Sequence, residues 1–156
     1  MNHGQQRGGH GQRGGGRERG STQGQAIQLD KVVIRARDGA SLDPDLFSAI
    51  AEQVARTIGA NERGNKPSQI RQFYEELVMW EERARQNPER FGEYLPFIRM
   101  LNAKAAYAKG RKNVDDNFVD LIAHCLKQVD DLETLRNFKL FFEAFLGFYK
   151  LHGPKG

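Results

Sequence analysis

The stretch Leu132-Glu133-Thr134-Leu135-Arg136-Asn137-Phe138-Lys139-Leu140-Phe141-Phe142-Glu143-Ala144-Phe145-Leu146-Gly147-Phe148-Tyr149 decides the fold. It holds too many apolar residues to face water and no glycine or proline pair that would stop a helix before His152-Gly153-Pro154. Read as one helix from about Asp131, it is apolar nearly all round, with Leu132, Leu135, Phe138, Leu140, Phe141, Phe142, Phe145, Leu146, Phe148 and Tyr149. Such a helix is either the centre of a core or half of an interface.

Working outward, the preceding segments repeat the helical period on one face each. Asn113 is placed to cap a helix carrying Phe118, Leu121, Ile122, Cys125, Leu126 and Val129. Before it, a helix from Pro88 or Tyr94 to Lys109 turns Tyr94, Phe97, Ile98, Leu101, Ala105 and Ala108 inward. A break is expected near Gly92 and Pro96, and Gly110 ends the helix. Another runs from Pro67 to about Gln86 on Ile70, Phe73, Tyr74, Leu77, Val78 and Ala84, with Glu81 and Arg85 paired on its outer side. The first follows the Asp43-Pro44 start signal, buries Leu46, Phe47, Ile50, Val54 and Ile58, and meets Gly59 as its C′ residue. No segment after residue 40 alternates with period two. The expectation is an all-α chain, a compact five-helix bundle over residues 44–152.

Upstream the character changes. Residues 1–25 hold no aromatic residue, and the runs Arg7-Gly8-Gly9, Arg13-Gly14-Gly15-Gly16 and Arg19-Gly20 predict a disordered Gly/Arg-rich tail. Residues 26–43 form a lead-in, where Val32-Val33-Ile34 permits an extended or short helical stretch but has no partner strand.

Charge follows the same division. The tail carries Arg7, Arg13, Arg17 and Arg19 against Glu18, so it supplies +3 of the net +4. Nucleic-acid binding by the body must therefore rest on where its charges sit. From Pro96 to Asn113 stand Arg99, Lys104, Lys109, Arg111 and Lys112 with no acid. Cations favour helix C-termini, which accounts for the last three more easily than for Arg99 and Lys104. Lys66, Ser68, Gln69 and Arg71 open another helix, where backbone amides suit a phosphate. Each group alone is ordinary surface; together with the tail they favour a phosphate backbone as partner.

Enzyme signatures are absent. No His-Glu-x-x-His, Glu-x-x-His pair, phosphate loop or nucleophile elbow occurs, and no catalytic residue, metal ligand or cofactor is assigned. His124 and Cys125 are neighbours on a helix and diverge by about 100°. Asp115, Asp116, Asp131 and Glu133 fit helix first turns, where the dipole favours them. One cysteine excludes an internal disulfide. Without a membrane-spanning run or a secretory h-region, a cytoplasmic location is expected.

Three blocks carry a more specific identity. Asn65-Lys66-Pro67-Ser68-Gln69-Ile70-Arg71-Gln72-Phe73-Tyr74 is the first, and Leu101-Asn102-Ala103-Lys104-Ala105-Ala106-Tyr107-Ala108-Lys109-Gly110-Arg111 the second. Leu135 to Lys150 is the third. In order and spacing they resemble the small subunit of type III-A CRISPR effector complexes, over roughly residues 44–152. The Arg-Gly tail lies outside that pattern. The resemblance implies a non-catalytic helical protein stacked in several copies along a filament in antiviral defence. Its partners would be the crRNA guide, the target RNA, the backbone repeat subunit, the large Cas10-type subunit and neighbouring copies of itself. It implies RNA-facing roles for Lys66, Gln69, Arg71, Lys104 and Arg111, and charge alone adds Arg99 and Lys112. Arg7, Arg13, Arg17 and Arg19 are weaker candidates from the tail. A free-standing RNA chaperone working through its tail is the alternative, and a metal-dependent nuclease using the aspartate pairs is a third.

Overall fold

The computed structural model describes residues 26–36 and 39–154. The tail, its arginines and its expected disorder lie outside those residues. Every regular element described is helical: α1 (Ala51–Gly59), α2 (Pro67–Gln86), α3 (Phe91–Arg99), α4 (Leu101–Gly110), α5 (Asp116–Gln128) and α6 (Leu132–His152). A π-helical turn, Leu46–Ile50, leads into α1, and single 3₁₀ turns occupy Leu29–Lys31 and Pro88–Arg90.

α3 and α4 are one interrupted rod, so the bundle has five members. Their boundary is Met100, itself right-handed at φ −62° and ψ −16°. Met100 ties the two helices, for its N–H donates to the Pro96 carbonyl and its carbonyl accepts the Lys104 N–H, both at 3.1 Å. The break expected near Gly92 and Pro96 falls instead at Met100, four residues beyond Pro96. Gly92 and Pro96 lie on the outer face, where water can serve the carbonyl that Pro96 leaves without a donor.

α6 is the central element, packed along α1 and α2. Its rings make the core: Phe142 lies edge-on to Phe145 at 5.4 Å, Phe118 at 6.2 Å and Phe138 at 6.3 Å, and stacks on Tyr74 at 6.2 Å. The helix starts where a capping box forms. Thr134 N–H donates to Asp131 Oδ1 at 2.8 Å, and the Thr134 side chain takes the Asp131 N–H at 3.1 Å. Gly59 is the last residue of α1, not a left-handed C′ residue. A Cβ there would sit 2.9 Å from the His152 carbonyl oxygen, so glycine is needed for the close passage of α6.

Other expectations shift with physical reasons. Asp115, not Asn113, caps α5, accepting the Phe118 N–H at 3.0 Å. Glu81 is buried rather than outward-facing, because it continues the inner stripe Phe73, Leu77, Ala84; Arg85 remains beside its carboxylate at 3.4 Å. Phe97 points outward instead of into the core and stacks on Trp80 at 6.0 Å.

The lead-in is strapped down rather than paired as a strand. Val32 and Ile34 are fully buried. The Val32 carbonyl accepts Gln128 Nε2 at 2.9 Å and lies 2.8 Å from His124 Nε2. Ile34 N–H donates to Gln128 Oε1, and its carbonyl accepts Asn137 Nδ2, each at 2.9 Å. Side chains of α5 and α6 thus satisfy a buried extended backbone that has no sheet.

Candidate nucleic-acid interface

The site begins at a buried amide. Asn65 has no exposed surface. Its Nδ2 donates to the Ile58 carbonyl at 3.1 Å, and its Oδ1 accepts the Asp115 N–H at 2.8 Å. The Asn65 carbonyl accepts the Tyr149 hydroxyl at 2.7 Å. Burial, with Asp115 nearby, raises the Tyr149 phenol above its ordinary range and keeps it a donor. One residue therefore ties the end of α1, the start of α5 and the core of α6, and fixes where α2 begins.

The turn after α4 is fastened to that start. Lys66 N–H donates to the Asn113 carbonyl at 2.9 Å, and Asn113 Nδ2 donates to Gln69 Oε1 at 3.1 Å. α4 ends at Gly110, as the sequence suggests, but the glycine is not left-handed. Lys112 holds the left-handed conformation at φ 62°. Its N–H reaches the Lys109 carbonyl and the Asn113 N–H reaches the Ala108 carbonyl, both at 2.9 Å, closing a Schellman motif.

Between α2 and α4 runs an open groove of about 460 Å³. Gln69, Gln72 and Glu76 form one wall, Lys104, Tyr107 and Arg111 the other, and buried Phe73, Leu101 and Ala108 the floor. Lys104 pairs with Glu76 across it. The Arg111 guanidinium lies 5.8 Å from the Tyr107 ring centre. Among the described residues no carboxylate forms an ion pair with Arg111, Lys66 or Lys112.

The seven candidates from the sequence thus separate. Gln69, Lys104 and Arg111 line one groove, and Lys66 stands exposed at the end of the same wall. Arg71 lies on α2 outside the groove lining, 3.6 Å from Glu75. Arg99 turns to the other side and reaches the Val129 carbonyl at the end of α5. Lys112 sits on the turn. Tyr107, Gln72 and Glu76 belong to the groove and were not singled out. The signal for Tyr107 was present, since it lies three residues from Lys104 and four from Arg111.

The groups that suggested catalysis have other work. Asp115 caps α5 and accepts Asn61 Nδ2 at 2.9 Å; Asp116 pairs with Lys109, and Asp130 with Arg35. Asp131 caps α6. Among the described residues no three His, Cys, Asp or Glu side chains are grouped to hold a metal ion. Cys125 is fully buried in the core, and that burial raises its thiol far above the ordinary range, which suits packing rather than nucleophilic attack. No described helix is long and apolar enough to cross a membrane.

Comparison with known proteins adds one finding. The family model described as Csm2 Type III-A matches residues 41–155. No curated protein and no solved structure gives a match. The match takes in all six helices, the groove and the Asn65 junction, and stops short of the strap. The chain therefore belongs to the Csm2 family, the small-subunit family of type III-A CRISPR complexes.

Proposed function

We propose that this chain is a non-catalytic small subunit that holds RNA by its backbone within a type III-A interference complex. The observation that carries the proposal is the convergence of Gln69, Lys104 and Arg111 on one groove. Two cations and the Gln69 and Gln72 amides on an open, polar-walled channel suit phosphate oxygens and carry no base code. The Lys104–Glu76 pair does not close the site. Its side chains are 48% and 22% exposed, and pairs of that kind contribute about 0–1 kcal/mol, less than a phosphate contact can replace.

Several copies stacking along guide and target RNA would repeat this contact along the filament. Lys66 would extend it at the head of α2, and Lys112 on the turn, with Arg71 and Arg99 more peripheral. The setting is cytoplasmic antiviral defence, with crRNA, target RNA, the backbone repeat subunit and the large subunit as partners. The test is purification of the tagged full-length protein from its native cells. Recovery in several copies, with larger subunits and a repeat-derived guide RNA, is the expected result. Recovery alone, or with mixed cellular RNA, would overturn the proposal in favour of a chaperone acting through the Arg-Gly tail.

A further inference from the structure

The groove wall does not end at the groove. Phe97, Met100, Lys104, Tyr107 and Arg111 follow one another at three, four, three and four residues along α3 and α4. That spacing places them on a single stripe of the rod, about 21 Å long at 1.5 Å per residue. Phe97 is 54% exposed, Met100 50% and Tyr107 68%, so the stripe faces solvent throughout. Met100 joins its two parts, since it lines the groove with Lys104, Tyr107 and Arg111 and follows Phe97 by one turn. At the far end Trp80 backs Phe97 in a stacked pair, with the Arg83 guanidinium 5.2 Å from the Trp80 ring centre.

Exposed aromatic rings alternate here with cations. A protein partner would favour an apolar centre with the charges pushed to the rim. In this stripe Lys104 and Arg111 interleave with the rings instead. Single-stranded nucleic acid alternates in the same way, a flat base and then a phosphate, and is held by aromatic platforms within a positive track. An A-form duplex keeps its bases stacked inside and offers no free base face to such rings.

We infer that the stripe is a stacking platform for unpaired bases of single-stranded RNA. Tyr107 takes one base, the Phe97–Trp80 pair takes another, and Lys104 and Arg111 hold the phosphates beside them. This rests on the groove being an RNA site and goes beyond it, because it assigns contact to base faces and a preference for unpaired nucleotides.

The test is fluorescence anisotropy of the full-length protein with a labelled oligouridylate and with a blunt RNA duplex of equal length. Tyr107→Ala and Phe97→Ala should each weaken oligouridylate binding about 5- to 100-fold. Tyr107→Phe should retain it, and duplex binding should stay at its starting value. If both alanine variants bind oligouridylate like the parent, the stacking platform is overturned. Equal losses on strand and duplex would also overturn it, because base faces would not be what the rings read. So would a change in self-association on Phe97→Ala with RNA binding intact, which would make that end a protein contact. Lys104→Ala/Arg111→Ala is the control: if it alone loses RNA, the backbone-binding groove survives without stacking, and if it too is silent, both fall.

Discussion

Replacing Phe142 by alanine should lower the free energy of unfolding by about 3–5 kcal/mol. The ring is fully buried and meets Phe118, Phe138, Phe145 and Tyr74 on four sides. Its removal takes away transfer free energy and leaves a cavity among aromatic neighbours too large to slide into it. Small domains have only about 5–15 kcal/mol in all, so this one change consumes a large part of the margin. Urea titration monitored by circular dichroism measures it. A loss below about 1 kcal/mol would mean that the ring is not at the packing centre of the bundle.

The second large effect belongs to Asn65. Its replacement by alanine leaves the part-buried Asp115 N–H without its acceptor, while the Ile58 carbonyl keeps the Asn61 N–H at 3.3 Å. A donor left unpaired in this way costs about 1–3 kcal/mol. The damage should be local as well as global, because Asn65 sets the start of α2 against α5. Amide hydrogen exchange at Asp115 should quicken, and RNA retention should fall although Asn65 does not line the groove. Unchanged exchange at Asp115 would show that water replaces the amide and that the junction does not position the site.

The bundle was legible because its signals are local. Proline and aspartate mark helix starts, and α6 announces the core by its rings. What stayed hidden depends on distant residues. Nothing near Val32 and Ile34 tells that Gln128 and Asn137 wait to satisfy their backbone, more than ninety residues away in sequence. Asn65 reads as a polar loop residue until three helices close over it. Phe97 reads as core by its period, yet the Trp80 ring takes it on the outside. For the candidate site, the cation cluster from Pro96 to Asn113 contains Lys104 and Arg111 but does not separate them from Arg99, which reaches the Val129 carbonyl at the end of α5. Tyr107 stayed hidden because its exposure depends on which face of α4 the other helices cover.

RNA affinity measured across salt concentrations decides whether the groove between α2 and α4 binds the RNA backbone. Three full-length proteins are compared: the parent, Lys104→Ala/Arg111→Ala and Glu76→Gln. Losing two phosphate contacts should flatten the slope of log affinity against log salt by about 1.4–1.8. Freeing Lys104 from Glu76 should raise affinity by up to about fivefold. An unchanged slope in the double variant, with no gain from Glu76→Gln, would move RNA binding to another face of the protein.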